Sequence, residues 1–261
     1  MRRAVPADRR GELEALCAWH RILHSASEPR RDELARIRER AIEGRPETPL
    51  GVALAAALLR FALPPNLLRG PFQALASDEE VRTFTTRGEQ TAHLKRLVVP
   101  EGRLLLKVLG LEGERAEVLA DALALGLQRA RWTASMRREL SLGRLRIPAE
   151  DLRAFDVLPA DLERDPAPPA VRELLGGQVA WARSELAKGW PLCHELGHRV
   201  GRGLTFLLRW HAASLSALEA RGFDPRATAG GSGRGKAFRG GLLRALACAS
   251  QTATRGAPRL Q

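Results

Sequence analysis

Apolar residues recur at intervals of three and four along almost the whole chain, and a sequence with that single period has few folds open to it. Leu13, Leu16, Ile22 and Leu23 keep the interval; so do Ala53, Leu54, Ala57, Leu58 and Phe61, and later Val171, Leu174, Leu175, Val179, Ala182 and Leu186. Such spacing places apolar side chains on one stripe of an α-helix. No stretch alternates with the period of two that a half-buried strand requires, and no segment repeats. Glycine, proline and polar residues interrupt the stripes at Gly44 to Pro49, Pro64 to Asn66, Gly110 to Gly113, Pro148, Pro159, Pro166 to Pro169 and Gly222 to Gly235. The pattern predicts one all-α domain over residues 1–261, a helical bundle with a flexible Gly/Ser/Arg connection at 226–235 before a last short helix. Helix starts are expected at Pro148-Ala-Glu-Asp and Ser77-Asp-Glu-Glu. Acids in a first turn suit the helix dipole, and Ser77 is a candidate cap.

Two stretches depart from a simple apolar stripe. In VPADRRGELEALCAWHRILHSASE, from Val5 to Glu28, the residues Arg21, His24, Ser25 and Glu28 fall on one helical face. In LQRARWTASMRRELSLGRLRIP, from Leu127 to Pro148, Gln128, Arg131, Ser135 and Glu139 do the same. Each face is polar on a helix otherwise rich in Leu, Ala, Trp and Met. Polar groups aimed from two helices into one interior are how helical bundles build sites.

These stretches resemble the squalene/phytoene synthase family, whose two motif helices run roughly LPxxRRxxxxALYAFCRxxDDxxD and LQLTNxLRDVxEDxxxGRxYLP. Pro6, Arg9, Arg10, Ala15, Leu16, Ala18 and Arg21 match the first pattern, while His24, Ser25 and Glu28 stand where it has its three aspartates. In the second, Gln128, Gly143, Arg144 and Pro148 match; Arg131 replaces the asparagine, Ser135 the first aspartate and Glu139 the last. LPPNLLRGPFQALASD at 63–78 is similar to the family's LPxxxFxxLIxGxxxD, and His93 falls on the tyrosine of its YC pair, nine residues before Gly102. PAEDLRAFDV, QVAWARSELAKGWPL, LEARGFDP and Lys236 follow in the family's order, so the resemblance covers nearly the whole chain. The helix that the family carries ahead of the first motif, with a Ser-Phe pair near the diphosphate, is expected either to precede Met1 or to have been lost.

The resemblance implies an isoprenoid-synthase bundle with a central cavity, and prenyl diphosphates of the farnesyl or geranylgeranyl class as ligands. Family aspartates hold several Mg²⁺ ions that bind the diphosphate and promote its departure. Mg²⁺ demands hard oxygen ligands in near-octahedral geometry. Only Glu28 and Glu139 remain as residual metal ligands, Ser25 and Ser135 carry no charge, and His24 suits softer metals better. The expected Mg²⁺ site is weakened, and no residue is assigned a catalytic role. Arg131 brings a fixed charge to the region once held by metal, and guanidinium grips phosphate oxygens without any ion. Arg21, Gln128, Arg131 and Arg144 are therefore the expected substrate-binding residues. The resulting expectation is a pseudoenzyme that binds a prenyl diphosphate and serves as partner or regulator of an active prenyltransferase. The alternative is a working transferase with a rebuilt metal site on Glu28 and Glu139.

Composition narrows the other classes. The chain carries a net charge of +12 from 42 basic side chains, which admits nucleic acid, an anionic membrane surface or a phosphorylated ligand. The arginines are scattered, tyrosine is absent and only seven residues are Phe, so no stacking platform for bases suggests itself and no nucleic acid is expected. Cys17, Cys193 and Cys248 offer neither a disulfide framework nor a Cys-x-x-Cys knuckle. The most apolar run, Gly51 to Leu63, is interrupted by Arg60 and is too short for the roughly 20 residues of a membrane span. A cytoplasmic protein, peripheral to the inner membrane, is the expected location. One motif points elsewhere: His194-Glu195-Leu196-Gly197-His198 matches the HExxH signature of zinc hydrolases. Leu204 stands where the longer metzincin pattern needs a third histidine, so chance occurrence in a connection is the preferred reading.

Overall fold

The computed structural model describes residues 28–225 apart from Arg82, together with Gly11, Glu14 to Leu16, Ala18 and Trp19. Side-chain positions are described for these residues except at 28–30, 76, 77, 79, 80, 198 and 199. The ten α-helices of residues 28–225 are α1 Glu28–Ile42, α2 Pro49–Arg60, α3 Asn66–Glu80, α4 Arg87–Leu109, α5 Glu114–Ala134, α6 Met136–Ser141, α7 Ala149–Ala154, α8 Pro169–Gly189, α9 Leu192–Glu195 and α10 His198–Glu219. A 3₁₀ turn at Pro159–Glu163 joins α7 to α8. The bundle expected from the apolar period is present, and among the described residues only one isolated bridge, Phe84 to Pro148, has strand-like pairing.

The long helix α5 is the central post. It packs against α4, α8 and α10, and eleven of its residues, from Ala116 to Trp132, are buried. Its approach to α8 is closer than an ordinary side chain permits. A Cβ on Gly126 would come within 2.7 Å of the Leu186 backbone nitrogen, and one on Gly189 would lie 2.7 Å from that of Leu123. Leu123, Leu127, Ala182, Leu186, Leu204 and Leu208 fill the core around that contact.

Local chemistry explains where helices start and stop. Thr86 accepts from Glu89 N at 3.1 Å and Glu89 accepts from Thr85 N at 2.6 Å, so α4 opens on a reciprocal cap. It closes at Gly110 with φ of 70°, a left-handed conformation that glycine adopts without a Cβ penalty. The expected start at Ser77 is corrected: Ser77 to Glu80 form the end of α3, and the next helix begins at Arg87. Acids at a helix C-terminus oppose the dipole, and Asp78 is there because cationic partners hold it.

Candidate functional site

Arg21, His24 and Ser25 of the first polar face lie outside the described residues, as does the side chain of Glu28, whose backbone opens α1. The second face is described in full. It does not ride on one continuous helix: α5 ends at Ala134, Ser135 bends the chain with φ −109° and ψ 19°, and α6 follows. Ser135 bonds back to Arg131 O through both N (2.9 Å) and Oγ (2.7 Å), and Glu139 N bonds to Ser135 O at 3.1 Å. The bend therefore preserves the face rather than scattering it.

On this face Gln128 is buried. With its amide oxygen turned toward them, it accepts from Trp132 Nε1 at 2.8 Å and from an Arg131 terminal nitrogen at 2.6 Å. That bond fixes the guanidinium of Arg131, a largely buried residue between the buried Ala130 and Trp132. Desolvation pushes the Arg131 pKa down, against the opposing pull of Glu139, Asp78 and Glu101. None of these carboxylates pairs with it, and Arg131 forms no ion pair among the described residues. A guanidinium that has lost water without gaining a counterion is an anion-binding group in waiting.

Glu139 is differently placed. Its Oε2 accepts from Arg146 Nε at 3.2 Å, and the same guanidinium reaches across to Asp78, donating to Oδ2 at 3.0 Å and lying 2.9 Å from Oδ1. Asp78 Oδ1 also meets His93 Nε2 at 2.9 Å. Burial raises the Asp78 pKa, but the His93 hydrogen bond and the Arg146 charge outweigh it and the net shift is downward. All four side chains are buried. Arg146 further stacks over Trp132, 4.7 Å from its ring centroid, and Gln90 donates to Arg146 O at 2.7 Å. The Phe84 to Pro148 bridge, with Ala149 N donating to Phe84 O at 2.8 Å, draws these elements together. Behind Arg146 and Trp132, a cavity of about 20 Å³ bordered by Gln90, Arg129 and Gln178 has room for about one water and none for a lipid tail.

The donor set bears on metal. Glu139, the residual ligand expected on this side, already has a buried guanidinium as counterion, and so does Asp78. Among the described residues no group of three or more His, Cys, Asp and Glu side chains could hold an ion. These donors do not fit a Mg²⁺ site. Arg144 sits just past the end of α6; it is half-buried, and its Nε is buried without a hydrogen-bond partner among the described residues. Its backbone N bonds to Glu139 O at 2.9 Å, which ties it to the same bend.

The HExxH segment does not form the helix its signature needs. α9 ends at Glu195, Gly197 adopts φ of 25°, and α10 begins at His198. Glu195 is held by Arg115 Nε at 2.8 Å, and His194 is exposed.

Sequence reasoning missed the Asp78, His93, Arg146 and Glu139 cluster as a unit. Asp78 and His93 are visible as positions on the family pattern, and Arg146 as a basic residue between Arg144 and Pro148. Nothing in linear order says that a cation from one loop neutralises acids from α3 and α6.

The helices, the buried polar cluster and the loop bridge define an all-α fold of the isoprenoid-synthase type. The crystal structure of squalene synthase HpnC from Alicyclobacillus acidocaldarius superposes with a TM-score of 0.72 at 24% identity, covering 86% of this chain and 99% of that one. A dehydrosqualene synthase solved in complex with ligand gives a TM-score of 0.73 at 16% identity, covering 97% and 90%. The squalene/phytoene synthase family model matches residues 3–232, and the chain belongs to that family. No curated protein matches the chain significantly.

Proposed function

We propose that this protein binds a prenyl diphosphate through guanidinium groups, without a Mg²⁺ cluster, and does not ionise it. The observation that carries this reading is the contrast between two arginines 15 positions apart. Arg146 neutralises Asp78 and Glu139, while Arg131 remains desolvated, oriented by Gln128 and unpaired among the described residues. One arginine removes the means of holding metal; the other supplies a grip on phosphate oxygens. Arg144 and Arg21 are assigned to the same ligand as further diphosphate contacts.

Ionising an allylic diphosphate requires charge stabilisation that grows as the leaving group departs. Guanidinium groups also favour the more highly charged departing form, but each brings one positive charge where each Mg²⁺ brings two, so a few arginines supply less of that stabilisation than a cluster of metal ions. A protein built this way holds a prenyl diphosphate, or presents it to an active prenyltransferase, instead of condensing two of them. The test combines calorimetry with product analysis on purified protein. Farnesyl diphosphate is expected to bind the wild type, to bind Arg131→Met at least tenfold more weakly, and to be recovered unchanged. Squalene or a cyclopropyl intermediate formed at ordinary enzymatic rates overturns the proposal and restores the working transferase.

A further inference from the structure

Trp132 follows Arg131 on α5 and is 3% exposed. Gln128 lies one helical turn earlier, so the two side chains share a face. An indole carries one N–H donor and no acceptor, and once buried it needs a partner for that donor. In the amide orientation that satisfies both neighbours, the partner is the Gln128 oxygen, 2.8 Å from Trp132 Nε1, and the same oxygen accepts from the Arg131 terminal nitrogen at 2.6 Å. Two donors thus meet on one atom, and they differ in freedom. The indole ring is locked: the Arg146 guanidinium lies 4.7 Å over it, the Phe84 and His93 rings are 6.0 and 6.5 Å away, and Leu94, Leu97 and Leu125 complete the same buried cluster. Gln128 and Arg131 are long side chains that lose much rotamer entropy when held. The rigid partner therefore sets the place of the flexible ones. Packing alone asks only for an aromatic ring at this position, and the N–H is what tryptophan adds to it.

We propose that Trp132 is a positioning residue for the diphosphate grip: its indole N–H holds the Gln128 oxygen where that oxygen receives Arg131, so that the guanidinium is set before the ligand arrives. This rests on the reading of Arg131 as the diphosphate grip. An amide oxygen repels phosphate oxygens, so this atom of Gln128 serves the ligand only through Arg131. A guanidinium already in place spares the ligand the cost of ordering a long side chain, and preorganisation of this kind shows as affinity. One ring then serves both arginines, steadying Arg131 through its N–H and stacking with its face on Arg146, the cation that neutralises Asp78 and Glu139.

The experiment is calorimetry of farnesyl diphosphate in EDTA on wild type, Trp132→Phe, Gln128→Met and the double variant. Phe keeps a ring against Arg146, Phe84 and His93 and deletes the N–H. Trp132→Phe is expected to bind roughly three- to tenfold more weakly, with the loss carried by the binding entropy. In the Gln128→Met background, where the oxygen is absent, the same substitution should cost less than about twofold. A packing role alone would lower the thermal stability of Trp132→Phe and leave the two affinity effects additive. Equal affinity of wild type and Trp132→Phe overturns the role of Trp132 and leaves the Arg131 reading standing, and so does a loss as large without Gln128 as with it. Absence of binding by the wild type overturns both. If the variants do not fold, NMR relaxation of the Arg131 Nε–H in the ligand-free wild type decides: an ordered side chain is expected, and a guanidinium as mobile as those of exposed arginines overturns the proposal.

Discussion

Replacing Arg146 by Met tests the charge arrangement most sharply. The side chain is 4% exposed and serves Asp78 and Glu139 at once, at 2.9, 3.0 and 3.2 Å. Met preserves much of the stem's packing against Trp132 and deletes only the cation. Two carboxylates are then left in a buried site, with His93 as the sole remaining partner of Asp78 among the described side chains and none shown for Glu139. Removing one member of a buried pair costs about 3–5 kcal/mol, because the other charge stays desolvated. For a protein of this size that corresponds to a fall in Tm of roughly 6–20 °C. Urea unfolding followed by tryptophan fluorescence measures it. The pH dependence must also change sign. In the wild type Asp78 has a depressed pKa, so its contribution is present above the unfolded value of 3.8 and is lost as pH falls through the folded one. In Arg146→Met the two acids lose the cation that offsets their burial, so this protein is relatively best at low pH and weakens as pH rises. Adding Asp78→Asn and Glu139→Gln should recover most of the loss. A stability within about 1 kcal/mol of wild type at pH 7, or a deficit that does not shrink on acidification, refutes the argument.

Two further outcomes follow from the same geometry. His211, with its pKa depressed to about 4, contributes stability above the ordinary value of 6.5 that is lost as pH falls toward 4; His211→Gln should flatten that limb of a stability-versus-pH series without altering the plateau's shape above pH 7. Gly126→Ala forces a methyl to within 2.7 Å of the Leu186 backbone nitrogen, so thermal unfolding should report a loss of about 1–3 kcal/mol from overpacking.

The helical architecture is legible in the sequence because period and punctuation agree: Pro64 to Asn66, Gly110 to Gly113 and Pro166 to Pro169 all mark real breaks. Ser77 misleads because local cap chemistry takes no account of tertiary partners; His93 and Arg146 make an acidic helix end tolerable. Spacing alone reveals the second polar face, and Gln128, Arg131 and Glu139 do meet one environment. What spacing does not show is which acid is free. Glu139 has the look of a spare metal ligand, yet Arg146, seven residues on, folds back onto it. In the GRxYLP pattern Arg146 falls on the tyrosine. A neutral hydroxyl there could not hold two buried carboxylates, whereas a guanidinium can.

The central claim is that guanidinium groups here bind the diphosphate without Mg²⁺. Calorimetric titration of farnesyl diphosphate in EDTA and again in excess Mg²⁺ tests it directly. The account predicts saturable binding in EDTA, with a Kd that Mg²⁺ leaves unchanged or weakens by competing for the diphosphate. Binding that appears only when Mg²⁺ is added, or that tightens tenfold or more with it, contradicts the account.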